Sequence, residues 1–297
     1  MKIRDLVIAT AFAITLPALA QDFSKVEIRT TKLGDATYMM EGAGGNLGLS
    51  IGEDAVFLID DQFAPLTEKI QAAISKLTPK PVRFVLNTHW HGDHTGGNEN
   101  MGKAGAIIVA HENVRSRMGS EQFIELMKMT EKASPKAALP IVTFASSVTF
   151  HLNGDEIRVF HVPKAHTDGD AIVHFVKSDV IHMGDIYFNG MYPFIDSATG
   201  GSVEGVIAAA DKALAIASDK TRIIPGHGPI SNKAELKAYR DMLAAISARV
   251  RDMARQGRKL EEITGANLNA EFDDKWGKGF IKPATFVQML AGMAKNR

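Results

Sequence analysis

After residue 24 the chain opens with short apolar runs, KVEIRT, ATYMME, NLGLSI and AVFLID, separated by Gly and Asp. Runs this short, rich in β-branched and aromatic residues and bounded by turn formers, predict strands. The period then changes. Over 64–77 Leu66, Ile70, Ile74 and Leu77 recur at intervals of four, four and three, which places them on one face of a helix. PVRFVLNT returns to the strand pattern and runs directly into His89, so the residues after it leave a strand that closes a β-helix-β unit. In α/β folds binding groups gather at such strand ends.

A second series follows. AIIVA (106–110) predicts a strand, 112–132 a helical region, and IVTFA, SVTFHL, EIRVFHV, AIVHFV and DVIHMG further strands. VEGVIAAADKALAIA predicts a helix leading into strand TRIIP and the turn GHGP at 226–229. From Ser231 the pattern is helical, with Tyr239, Met242, Leu243, Ile246, Val250 and Met253 at helical spacing. Two rounds of sheet and helix predict an α/β sandwich over 21–230, two stacked sheets with helices outside, followed by a helical C-terminal extension over 231–297. Neither a 20-to-50-residue repeat nor a low-complexity linker interrupts it.

Composition narrows the function classes. Of 297 residues 45% are hydrophobic and 23% charged, enough for a sizeable core, and 34 basic side chains balance 34 acidic ones. A net charge of zero argues against nucleic acid or an anionic membrane as the main partner and leaves a small-molecule substrate. The mild basic excess of the tail reads as a solvated helix face. Residues 1–20 place Lys2 and Arg4 before an apolar run ending in Ala18-Leu19-Ala20, the charge, apolar core and cleavage site of a secretory signal. The run from Leu6 to Ala20 contains Pro17 and is shorter than the roughly 20 residues a spanning helix needs, so a cleaved leader and a periplasmic mature chain without a membrane anchor are expected. The chain has no cysteine, hence no disulfide and no thiolate ligand.

One stretch departs from an ordinary globular composition. In FVLNTHWHGDHTGGN (84–98), His89, His91, Asp93 and His94 fall within six positions of a chain with ten histidines in all. On an extended backbone His89, His91 and Asp93 would project to the same side. Imidazoles plus a carboxylate, without sulfur, suit zinc or another first-row divalent ion. Further candidates stand at later strand ends: His166 in VPKAHTDGD, Asp185 in DVIHMGD and His227 in IIPGHGP. Seven groups exceed the needs of one tetrahedral ion, whereas two metals sharing a carboxylate use them all.

His89-x-His91-x-Asp93-His94, together with His166, Asp185 and the GHG histidine His227, resembles the metallo-β-lactamase superfamily over about residues 26–230. The resemblance implies an αβ/βα four-layer sandwich with two zinc ions at one edge, His89, His91 and His166 on the first, Asp93, His94 and His227 on the second, and Asp185 bridging. It also implies catalysis by a metal-bridging hydroxide that Asp93 orients. Zinc β-lactamases that share the first motif carry cysteine where this chain has Asp185 and lysine where it has Phe188; their substrate-side asparagine corresponds by position to Gly201, and their mobile flap is reduced to GAGGNLG. The all-His/Asp set is similar instead to glyoxalase II. Three functions follow as expectations: β-lactam hydrolysis first, thioester or ester hydrolysis of the glyoxalase II type second, and a non-catalytic periplasmic metal-binding accessory protein third.

Other residues carry plainer readings. His111, His151, His161, His174 and His182 have no ligand-like spacing and are expected to be structural. Asp60 and Asp61 sit where a carboxylate either orients a ligand histidine or caps a turn. Asp168 is divided between the same two roles. Trp90 and Phe188 are candidates for an apolar substrate wall, and Trp90 equally for the core.

Overall fold

The structure is a computed structural model and describes residues 22–295; the leader expected at 1–20 lies outside the described residues. In chain order the strands of the first half are β1 (Arg29–Lys32), β2 (Thr37–Glu41), β3 (Leu47–Ile51), β4 (Val56–Ile59), β5 (Val82–Leu86) and β6 (Ile107–His111). After them come the short β7 (Gln122–Ile124), β8 (Met129–Glu131) and β9 (Val142–Phe144). The second half supplies β10 (Ser147–Leu152), β11 (Asp155–His161), β12 (Ala171–Phe175), β13 (Val180–His182), β14 (Arg222–Ile224) and β15 (Ser231–Asn232). One sheet runs β1-β2-β3-β4-β5-β6-β9, the other β10-β11-β12-β13-β14-β15, and β7 pairs with β8 alone.

Alternation along the strands builds the layers. In β4, Phe57 and Ile59 face the space between the sheets and meet Val159, Val173, Phe175 and Val180. Their neighbours Val56 and Leu58 face outward onto Ile70 and Ile74 of α1 (Thr67–Ser75). A period of two in the strands and a three-to-four spacing in the helix thus give opposite faces to successive residues and one face to the helix. The second sheet repeats this with Ile172, Ile181 and Ile223 facing outward.

The remaining helices are α2 (Gly92–Thr95), α3 (Asn98–Lys103), α4 (Glu112–Met118), α5 (Val203–Ile216), α6 (Lys233–Arg255), α7 (Leu260–Gly265), α8 (Ala270–Trp276) and α9 (Pro283–Lys295). α5 begins where Ser202 accepts the Gly205 N–H, and α6 where Asn232 accepts the Glu235 N–H, side-chain caps that satisfy otherwise orphaned donors. α6 buries Leu236, Tyr239, Leu243, Ile246 and Val250 in the same core as Val206 and Ala210 of α5, and α9 adds Phe286 and Leu290. The result is an α/β sandwich with its C-terminal helices packed on the outer face of the second sheet. Among the described residues no helix is long and apolar enough to cross a membrane.

Two local expectations are corrected. The helical region at 112–132 stops at Met118, where Gly119 and Ser120 follow; beyond them Phe123, Ile124 and Thr130 favour strand, and the chain turns back at Lys128 with φ 51. The segment 89–93 is not extended. His91 is the N-cap of the one-turn helix α2, so Asp93 and His94 leave the backbone in a direction different from His89.

Candidate metal centre

β2, β4 and β5 run parallel to one another, as do β11, β13 and β14 in the second sheet, so their carboxyl ends share one rim. The loops leaving these strands carry all seven expected side chains. His89, His91, His166 and Asp185 form one group of converging ligand atoms, and Asp93, His94 and His227 a second. Asp185 lies between them. Its Oδ2 is 3.9 Å from His89 Nε2 and 3.7 Å from His166 Nε2, while its Oδ1 is 3.0 Å from His94 Nε2 and 3.3 Å from His227 Nε2. Each carboxylate oxygen therefore serves a different group.

Hydrogen bonds on the far side of each ring decide which nitrogen faces inward. His166 Nδ1–H donates to Phe194 O at 2.9 Å, His94 Nδ1–H to Asp60 Oδ2 at 2.7 Å, and His91 Nε2–H to Asp196 Oδ2 at 3.2 Å. Thr88 gives its hydroxyl proton to Asp60 Oδ2 at 2.8 Å, so its oxygen accepts from His89 Nδ1 at 3.1 Å. Asp60 thus orients His94 directly and His89 through Thr88. The inward atoms are then lone pairs: His166 Nε2 and His91 Nδ1 face each other at 2.9 Å. His89 Nε2 is buried without a hydrogen-bond partner, and His94 Nε2 has within reach only the Asp185 Oδ1 it faces across the centre. Buried polar atoms are ordinarily paired, so an orphaned imidazole nitrogen beside two opposed ones and a shared carboxylate fits a cation.

Electrostatics divides the groups. Burial pulls the His89 imidazole well below its usual range, with His94 adding to it, and holds His166 down to about 4. At the second group burial opposes protonation but is outweighed. Asp185, Asp93 and Asp60 raise His94 well above the usual range, and Asp185 and Asp93 push His227 up to about 9. Asp93 and His227 are also the most open members, with side chains 25% and 24% exposed. That exposure makes Asp93 and His227 the open side of the cluster.

Close packing fixes the loops. A Cβ on Gly226 would lie 2.1 Å from Asp185 Oδ1, so only glycine lets the turn before His227 reach the bridging carboxylate. A Cβ on Gly201 would lie 2.2 Å from His166 O, so this position has no room for a side chain.

The remaining candidates separate cleanly. Asp60 is a ligand-orienting group and Asp61 accepts the Gly97 N–H. Asp168 pairs with Arg117 at 2.7 Å and touches no candidate ligand. Phe188 stacks on His227 with ring centroids 5.1 Å apart, while Trp90 is buried and lies against His91. His111 and His161 stack on each other, and His182 bonds Asn46 O. Asp196, Thr88 and Phe194 escaped sequence reasoning. Asp196 follows the apolar run FI, and Thr88 directly precedes His89 in strand-like sequence, so neither carries a signal of its own.

A His/Asp cluster at the carboxyl rim of a sandwich defines a candidate metal-dependent hydrolase site. Residues 45–227 match the Metallo-beta-lactamase superfamily, and the chain belongs to it. It is 26% identical over 179 residues to a hydroxyacylglutathione hydrolase of Polaromonas sp., 60% of this chain and 60% of that protein. The chain thus spans less than two thirds of that relative's length. It is 24% identical over 228 residues to the beta-lactamase-like protein 2 homolog of Caenorhabditis elegans, 74% of this chain and 68% of that protein. Among solved structures, a metallo-beta-lactamase from Pontibacter korlensis superposes with a TM-score of 0.60 at 19% identity, covering 73% of this chain and 99% of that one. The fold is therefore that of the family.

Proposed function

We propose that the chain is a dinuclear zinc hydrolase that opens an amide- or ester-type carbonyl, with β-lactams the leading substrates. The observation that carries the reading is Asp185, whose two oxygens face separate groups of buried, pre-oriented imidazoles. His89, His91 and His166 would hold one ion, and Asp93, His94 and His227 the other. Zinc bound there supplies a water acidified to a pKa of about 7 and an electrophile for the carbonyl oxygen.

The protein's own groups do the rest. Asp60 and Asp196 fix the rings from behind, Asp60 accepting from His94 Nδ1 and reaching His89 through Thr88, Asp196 accepting from His91 Nε2, so that the other nitrogen of each ring faces the centre. The Asp93 carboxylate, at the open side, orients the attacking water, takes its proton and returns it to the departing group. Phe188, flat against His227, closes one wall with an apolar ring and offers no cation to a substrate carboxylate. The leader pattern at 1–20 supports placing this activity in the periplasm.

A second reading, thioester hydrolysis, is favoured by the cysteine-free ligand set and by the similarity to a hydroxyacylglutathione hydrolase. The test is kcat/KM of the zinc-loaded protein for a chromogenic cephalosporin and for S-lactoylglutathione, with His89→Ala as control and bound zinc counted. A His89-dependent preference for the cephalosporin supports the leading reading; preference for the thioester replaces it with the second, and turnover that His89→Ala leaves intact removes both.

A further inference from the structure

Asp93 and His227 are the most open members of the cluster, and neither has a far-side partner like that of His94 among the hydrogen bonds described. Their turns are tied together by main chain instead. In the glycine loop 42–46, between β2 and β3, Gly45 N–H donates to Asp93 O at 3.1 Å and Asn46 N–H to Gly226 O at 2.7 Å. Two successive residues thus join the turn bearing Asp93 to the turn bearing His227. A Cβ on Gly45 would lie 2.1 Å from His94 Cε1, so the loop backbone rests directly on that ring.

One side chain holds this loop from behind. Gln62, just past the end of β4 and fully buried, donates from Nε2–H to Gly45 O at 2.6 Å. Its own carbonyl accepts the Gly97 N–H at 3.0 Å, beyond the far end of α2. The short helix that carries Asp93 and His94 is therefore gripped on both sides, at Asp93 O through Gly45 and at Gly97 by Gln62 itself. Gln62 stands at φ 55, a left-handed backbone rare for residues with a side chain, and its Oε1 is buried without a hydrogen-bond partner. Neither feature favours stability, and backbone of this kind persists where the surrounding structure imposes it, chiefly at functional sites.

We infer that Gln62 is a positioning residue for the second half of the centre, setting the spacing of Asp93, His94 and His227 through Gly45. The inference rests on the reading of those three residues as metal ligands and adds a residue that touches none of their side chains in the hydrogen bonds described. The loop 42–46 is on this account a fixed brace between the two turns.

The test uses the full chain and two variants that both remove the donor. Gln62→Leu keeps the buried bulk; Gln62→Gly releases the φ 55 backbone and keeps the fold testable where leucine does not fit. Amide hydrogen exchange of the metal-free protein reads the brace, and chelator competition reads each zinc affinity. Gly45 and Asn46 amides should be protected in the wild type and exchange about tenfold faster in the variants, with β11 and β12 unchanged. The second ion should bind about tenfold more weakly and the first as in the wild type. Unchanged exchange at Gly45, or local acceleration with both affinities intact, overturns the inference. Equal loss of both ions, or faster exchange throughout the sheets, overturns it too, because either describes a general loss of structure. Neither readout needs turnover, so a wild type inactive on both reporters removes the hydrolase reading while the expected exchange and zinc results still support Gln62.

Discussion

The two halves of the candidate metal centre are built from similar side chains and opposite physics. Around His89, His91 and His166 the rings are buried, each is fixed by a hydrogen bond on its far side, and burial keeps His89 and His166 neutral. Around Asp93, His94 and His227 only His94 is anchored in this way among the hydrogen bonds described, and carboxylates hold protons on His94 and His227. A metal entering the first half finds lone pairs already presented. One entering the second must displace protons and settle against partly open side chains. The difference assigns holding strength to the first half and exchange with substrate and solvent to the second.

The sharpest way to break this comparison is to remove one ring from the rigid half. His89→Ala should lower kcat/KM by about a thousandfold, because the metal contributes several kcal/mol of charge stabilisation, and should reduce bound zinc. His227→Ala should spare one tightly held ion. Equal zinc loss in the two variants would mean that the halves are not distinct.

Proton linkage is the next lever. His227, pushed to about 9, holds a proton at pH 7 and His94 is raised in the same direction, so metal uptake at the second half should release protons and strengthen as pH rises toward 9, by at least about tenfold per pH unit. Uptake at the first half draws on His89 and His166, which are neutral at pH 7 already, and these two rings release none. Calorimetric zinc titrations in buffers of different ionisation enthalpy measure both. A second ion whose affinity ignores pH would contradict the electrostatic account.

A smaller effect probes the far-side hydrogen bonds. Asp196→Ala should weaken zinc at the first half by about 10–100-fold, the usual cost of losing an orienting partner, and leave the second half's affinity near that of the wild type. Asp60→Ala should touch both halves, because Asp60 bonds His94 directly and reaches His89 through Thr88. Chelator competition with each variant reads the two affinities.

How much of this was legible in the sequence depends on the distance over which each residue acts. The seven side chains the structure brings together announce themselves by residue type and by position after apolar runs, and the strand and helix periods placed them on loops. Asp196 could not be read this way. Its role exists only because the chain between Phe188 and Val203 returns beneath His91, a contact across 105 residues. At 122–131 Phe123, Ile124 and Met127 satisfy a helical spacing, and only Gly119 and the pairing of Gln122 with Glu131 decide for the hairpin. The bend at His91 was lost for a related reason: alternating residues describe an extended backbone equally well until Gly92 starts a helical turn.

The mildest expected effect concerns what lies behind the open half. Asn46 holds the turn that carries His227, through Nδ2–H bonds to Pro225 O at 2.9 Å and Gly228 O at 2.8 Å, and its own carbonyl accepts from His182 Nε2. His182 Nδ1 meanwhile accepts the Gly184 N–H at 3.2 Å, so this ring fits only when neutral. Burial accordingly lowers its pKa to about 4. A group with a folded pKa below its unfolded value of about 6.5 is fully stabilising above pH 6.5, and that stability drains away as pH falls toward 4. Between pH 7.5 and 5 the loss is about 2 kcal/mol. The ligand imidazoles titrate too, but they are common to the wild type and His182→Gln, so the difference between the two isolates this ring. Urea midpoints at both pH values should fall further in the wild type than in the variant. Parallel falls would show that His182 accommodates its proton, and that the turn bearing His227 is held by Asn46 without help from the ring behind it.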